Sequence, residues 1–97
     1  MIKTNVKIII YSSEQFIKLQ ILLLRNHIIW KFAGSDDPIR TLDQYPTGII
    51  INNFDMYIFW LTLTSDLMNF DKHPYEEVDI GYYLSTKGTC TTSDMLI

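Results

Sequence analysis

Apolar and polar positions alternate between Thr4 and Tyr11. Val6, Ile8 and Ile10 fall on one face, and Lys7, Ile9 and Tyr11 fall on the other. Period-two spacing of β-branched residues predicts a first strand, covered over most of its surface. At Ser12 the period changes. Ser12 can cap a helix, and Gln15 three positions on completes a capping box. Tyr11 before the cap and Phe16 within the first turns have the spacing of a hydrophobic staple. Glu14 places an anion at the positive end of the helix dipole. The helix is expected from Ser13 to about Arg25, with Asn26 taking the left-handed turn that ends it.

Two apolar stripes run along this helix. Phe16, Leu19, Leu22 and Leu23 form one, and Ile17, Ile21 and Leu24 form the other; Lys18, Gln20 and Arg25 are the polar positions after the first turn. One stripe is enough to cover a sheet. The second implies either a helix wrapped by its own domain or a subunit interface through Ile17, Ile21 and Leu24.

Residues 27–33, HIIWKFA, predict a second strand, with Ile28, Trp30 and Phe32 on one face. A polar loop follows, GSDDPIRTLDQYP. Loops of that length are uncommon in compact domains and often functional. Residues 47–64 predict a hairpin: TGIII, turn chemistry at Asn52-Asn53-Phe54-Asp55, then MYIFWLTLT returning with both faces largely apolar. SDLMNFDKHPYEE reads as a second long connection, where Pro74 opposes regular pairing. VDIGYYL at 78–84 fits a last strand or a short helix. The order β-α-β-β-β defines an α+β domain over residues 1–84, one helix on an antiparallel or mixed sheet of about four to five strands. Residues 85–97 form a polar tail, either frayed or docked through Met95, Leu96 and Ile97.

Composition narrows the function. In 97 residues, 47% are apolar and 20% charged, a folding composition that allows one domain. The net charge of −3 argues against non-specific nucleic-acid coating. Charge is also uneven. Residues 1–50 hold six Lys/Arg and four acids, and residues 51–97 hold two Lys and seven acids. The apolar run around Asp55 is too short in each half to span a membrane. The first residues show no signal-peptide pattern. A single cysteine, Cys90, excludes an internal disulfide framework and suits a reducing compartment, so a cytoplasmic location is expected.

Catalytic signatures are sparse. Gly34, Gly48, Gly81 and Gly88 are scattered and build neither a P-loop nor a dinucleotide fingerprint. His27 and His73 lack metal-ligand spacing. No cofactor is expected. His73 does lie near Asp71, Glu76, Glu77 and Asp79, where a small metal-dependent nucleotide hydrolase could be built. Trp30 and Trp60 stand out more. As core residues they need no function, but aromatic faces also stack on bases. With Arg40, Lys31 and Asn52/Asn53 they would form a nucleotide pocket. Asp66, Asp71, Glu76, Glu77 and Asp79 would supply an acidic surface for a protein partner.

The capped helix with F-x-x-L-Q-x-L-L, the aromatic HIIWKF strand, YPTGIIINN and HPYEEV together resemble a group of small bacteriophage-encoded α+β accessory proteins. The resemblance covers residues 6–80 and is anchored at Trp30, Tyr45, Pro46, Gly48 and Asn52. It implies a protein of the infected cell's cytoplasm that counters bacterial defence by binding. The expected function is sequestration by a homo-oligomer, of a host nucleotide immune signal or of a defence effector such as a CRISPR nuclease. The alternatives are the hydrolase above and a structural or regulatory subunit of a larger complex.

Overall fold

A computed structural model describes residues 2–31 and 39–87. Phe32 and Ala33 of the expected second strand, Asp36 and Asp37 of the polar loop, and the tail from 88 with Cys90 lie outside the described residues. The elements run β1 (Val6–Ile10), α1 (Ser13–Arg25), β2 (Ile29–Trp30), β3 (Thr47–Ile51), β4 (Asp55–Phe59), α2 (Thr64–Lys72), β5 (Glu76–Glu77) and α3 (Ile80–Ser85). The strands form one mixed sheet in the order β2-β4-β3-β1-β5. The β1–β3 and β3–β4 pairs are antiparallel, and the outer strands β2 and β5 run parallel to their neighbours. This is an α+β domain with helices on both faces of the sheet.

Strand register sorts the side chains. Val6, Ile8 and Ile10 lie opposite Ile51, Ile49 and Thr47, and Ile51 and Ile49 lie opposite Met56 and Ile58. Opposed residues share a face, so these side chains make one apolar surface. Phe16, Leu19 and Leu23 of α1 and Ile80 and Tyr83 of α3 close over it as a single buried cluster. The other face carries Lys7, Ile50, Gly48, Tyr57 and Phe59 and is covered by α2 through Phe70. A Cβ on Gly48 would sit 2.7 Å from the Phe70 ring. Glycine is therefore required by the close approach of α2 and not by backbone conformation.

Lys7 is buried on that same face. Its Nζ donates to the carbonyls of Phe70 at 2.8 Å and Asp71 at 3.1 Å, and it lies over the Phe70 ring. A cation thus satisfies the orphan carbonyls at the negative end of α2. The lysine also ties β1 to a helix some sixty positions away in the chain.

Helix α1 has the expected bounds, and Ser12 accepts from Gln15 N–H at its N-terminus. Gln15 Oε1 in turn accepts from the Tyr11 N–H, and the Tyr11 side chain stays exposed, so the start is held by the capping box more than by a staple. The end differs from the expectation. Asn26 has φ −101°, and His27 takes the left-handed conformation at φ 63°. Ile28 N–H bonds Leu23 O and His27 N–H bonds Leu24 O. These two bonds define a Schellman motif, whose left-handed residue follows the cap residue. The motif then packs Ile28 into the core beside Leu23.

Three further expectations are corrected. The second strand pairs over Ile29–Trp30 among the described residues, shorter than 27–33. The returning strand of the hairpin stops at Phe59, and the segment read as a connection contains α2. Leu63 occupies its N-cap position without a side-chain cap, so the usual start signal is missing. The spacing of Leu63, Leu67 and Phe70, with Asp66 in the first turn and Lys72 in the last, is the signal that could have found it. The open choice at 78–84 resolves to α3, capped by Asp79, whose carboxylate accepts from Tyr82 N–H at 3.0 Å.

Candidate functional site: a tryptophan-lined groove at the β4 edge

Gln20, one of the three polar positions after the first turn of α1, is buried. It lies in the row Phe16, Leu19, Gln20, Leu23 that faces the core. Every polar atom of its amide is engaged. Nε2 donates to Phe16 O at 3.3 Å and Arg40 O at 2.8 Å, and Oε1 accepts from Trp30 Nε1 at 3.2 Å and Arg40 N at 2.7 Å. A buried amide costs stability unless so satisfied. Gln20 therefore clamps the polar loop at Arg40 to α1 and fixes the Trp30 indole in the same network. Sequence spacing alone shows a polar residue among apolar ones; the partner that makes burial favourable lies twenty positions away.

The clamp sets the geometry of a groove of about 460 Å³ beside β4. Trp30, Lys31, Arg40, Tyr57, Trp60 and Asp66 are among the residues lining it. The Arg40 guanidinium stacks 4.6 Å from the Trp30 ring centroid, and Lys31 Nζ lies 4.9 Å from that of Tyr57. Both cations thus sit on aromatic faces, where the ring quadrupole favours them. Trp30 is only 3% exposed and makes an edge contact with Phe16, so it is both core and the groove's floor. Trp60 is 37% exposed at the rim. Its backbone N–H is held by the Asp66 carboxylate at 2.8 Å, which joins the rim to the first turn of α2. Trp60 also lines a second cavity of about 470 Å³ with Asp43, Gln44 and Thr62.

Of the expected ligand-binding residues, Trp30, Arg40 and Trp60 come together. Asn52 does not join them. It sits in the hairpin turn, where its Oδ1 accepts from Phe54 and Asp55 N–H groups and its Nδ2 bonds the Asp55 carboxylate. Turn formation consumes its polar atoms; Lys31, also expected there, does line the groove, and the structure adds Tyr57 and Asp66. Of the expected interface residues on α1, Ile21 is 39% exposed, while Ile17 and Leu24 are half-buried, Leu24 against the core cluster. Asp71, Glu76 and Glu77 are exposed, and Glu76 pairs with Lys3 at 2.6 Å.

His73 follows α2 on the second face. Its Nε2 lies 3.3 Å from the Tyr57 hydroxyl, its Nδ1 accepts from Tyr75 N–H, and its ring packs against Phe59 and Tyr75. An accepting Nδ1 places the neutral ring's proton on Nε2, facing Tyr57. Both nitrogens are thus committed to tyrosines and backbone. Burial first, and then the Lys7 ammonium, lower the His73 pKa from its ordinary value. A depressed histidine pKa means that the unfolded chain binds the proton more readily. Stability is therefore expected to fall as pH drops below about 6.5 toward the lowered value. Chemical denaturation at a series of pH values checks this, and His73→Phe should flatten the slope in that window.

Among the described residues no helix is long and apolar enough to cross a membrane, and no group of three or more His, Cys, Asp or Glu is placed to hold a metal ion. Comparison of the chain with protein-family models, curated proteins and solved structures returns no match. The class that the coordinates define is an α+β domain with a cationic, aromatic groove at one side of its sheet.

Proposed function

We propose that this protein is a non-catalytic binding protein that captures a nucleotide in the Trp30–Arg40–Trp60 groove. One observation carries the reading: the Arg40 guanidinium stacks on a buried indole, with the Arg40 backbone and that indole both bonded by Gln20, next to a partly exposed indole at the rim. A preorganised cation suits a phosphate, and an exposed aromatic face suits a base. The resemblance to phage accessory proteins suggests the setting, sequestration of a host immune nucleotide in the infected cell's cytoplasm.

Blocking of a protein effector through an acidic surface draws less support. Asp66 and Asp79 are engaged with backbone N–H groups, and Glu76 is paired with Lys3. A hydrolase built on Asp71 and His73 draws less still, because Tyr57 and Tyr75 occupy the imidazole.

Intrinsic tryptophan fluorescence, titrated with each ribonucleoside 5′-phosphate, tests the proposal. Saturable quenching is expected, and Arg40→Ala should weaken binding by roughly tenfold or more, the worth of a charge-assisted hydrogen bond. A flat response to every nucleotide would overturn the reading.

A further inference from the structure

Trp60 is a wall shared by two cavities of similar size, and their chemistry differs. The groove on one side contains Lys31 and Arg40 against one carboxylate, Asp66, which is bonded to the Trp60 N–H. The cavity on the other side is lined by Thr41, Asp43, Gln44, Thr62 and Leu63 and has no lysine or arginine among its lining residues. Arg40 and Thr41 are consecutive, so the two chemistries meet without a gap. A ligand lying along this strip meets cations at one end, an indole in the middle, and a carboxylate with an amide at the other.

We infer that the second cavity is a base-reading subsite selective for guanine, with Asp43 as its specificity-determining residue. The inference rests on the reading of the neighbouring groove as a nucleotide site. The phosphate belongs with Lys31 and Arg40, which outnumber Asp66, the one carboxylate of that groove, whereas Asp43 is the only charged residue lining the other cavity. The base then lies beside Trp60 and reaches Asp43. A carboxylate only accepts hydrogen bonds. Guanine offers it two adjacent donors, the N1–H and the exocyclic N2 amine. Adenine offers N1 as an acceptor, which faces the carboxylate with like polarity. Thr62 Oγ1 donates to Gln44 Oε1 at 3.4 Å, which directs the NH₂ end of that amide away from Thr62. That end is the donor that guanine O6 needs.

Isothermal titration calorimetry with GMP and AMP, on the wild-type protein and on Asp43→Asn, decides the matter. The wild type should bind GMP at least about tenfold more tightly than AMP, the ratio expected from one charge-assisted hydrogen bond. Asp43 lies on the surface, and an unchanged thermal transition would show that Asp43→Asn is folded. In that variant the preference for GMP should disappear. Equal wild-type affinities for GMP and AMP, or a preference that survives in Asp43→Asn, would overturn the guanine subsite while leaving the groove a nucleotide site. Binding of neither nucleotide would overturn the guanine subsite, and a flat fluorescence response to every nucleotide would overturn the groove reading as well.

Discussion

Leu23→Asp is expected to abolish the cooperative unfolding transition. Leu23 is fully buried on the face that α1 presents to the sheet, within the cluster that includes Ile8, Ile28 and Ile49. Removing the side chain alone costs about 2–5 kcal/mol. Burying an unpaired carboxylate adds several more. A domain of this size has roughly 5–15 kcal/mol to lose. Circular dichroism with thermal melting should show a chain without a sigmoidal transition. Ile21→Asp is the matched control on the same helix, since Ile21 is 39% exposed. It should keep the transition. Light scattering on the two proteins then reads the second stripe: a lower mass for Ile21→Asp than for wild type would show that this stripe joins copies of the chain, and equal masses would show that it does not.

Gln20→Leu has the second largest expected effect, and it reports on fold and site together. The substitution keeps an apolar volume in place but strips Trp30 Nε1, Arg40 N–H and Arg40 C=O of their partner. A group left buried without a bond costs about 1–3 kcal/mol, and of the three bonds that of Trp30 is the fully buried one, those of the Arg40 backbone being part-buried. The added apolar surface of leucine returns part of this, so a net loss of about 2–4 kcal/mol is expected in urea denaturation. The functional loss should exceed that of a merely destabilised protein. Measured where the variant is still folded, nucleotide affinity should drop because Arg40 is no longer held over Trp30. A variant that loses stability but keeps full affinity would show that the clamp supports the fold without organising the groove.

Legibility followed from how local each interaction is. Helix α1 was readable because its caps and its apolar period lie within the segment itself. The β3–β4 hairpin was readable because Asn52 and its neighbours carry turn chemistry, and that chemistry is what removes Asn52 from the groove. Helix α2 was not, since it is short, lacks a side-chain cap and buries only Phe70. What holds it in place is distant: Gly48 makes room for Phe70, and Lys7 satisfies its last carbonyls. The aromatic and cationic members of the groove announced themselves by residue type. That Trp30 would be both core and floor depended on Gln20, and no pattern within α1 distinguishes a buried, satisfied glutamine from a solvated one.

Only two indole N–H groups exist in this chain, Trp30 and Trp60. They give two well-separated reporters in a ¹H–¹⁵N correlation spectrum, one clamped by Gln20 and one at the rim of the groove. Titration of the ¹⁵N-labelled protein with GMP is the most direct test of the groove as a nucleotide site. The Trp60 indole and the backbone amides around Arg40 are expected to shift progressively and saturate, while the hairpin-turn amides of Asn53 and Phe54 stay in place. A spectrum in which neither Trp60 nor the Arg40 region moves at saturating nucleotide would contradict the account.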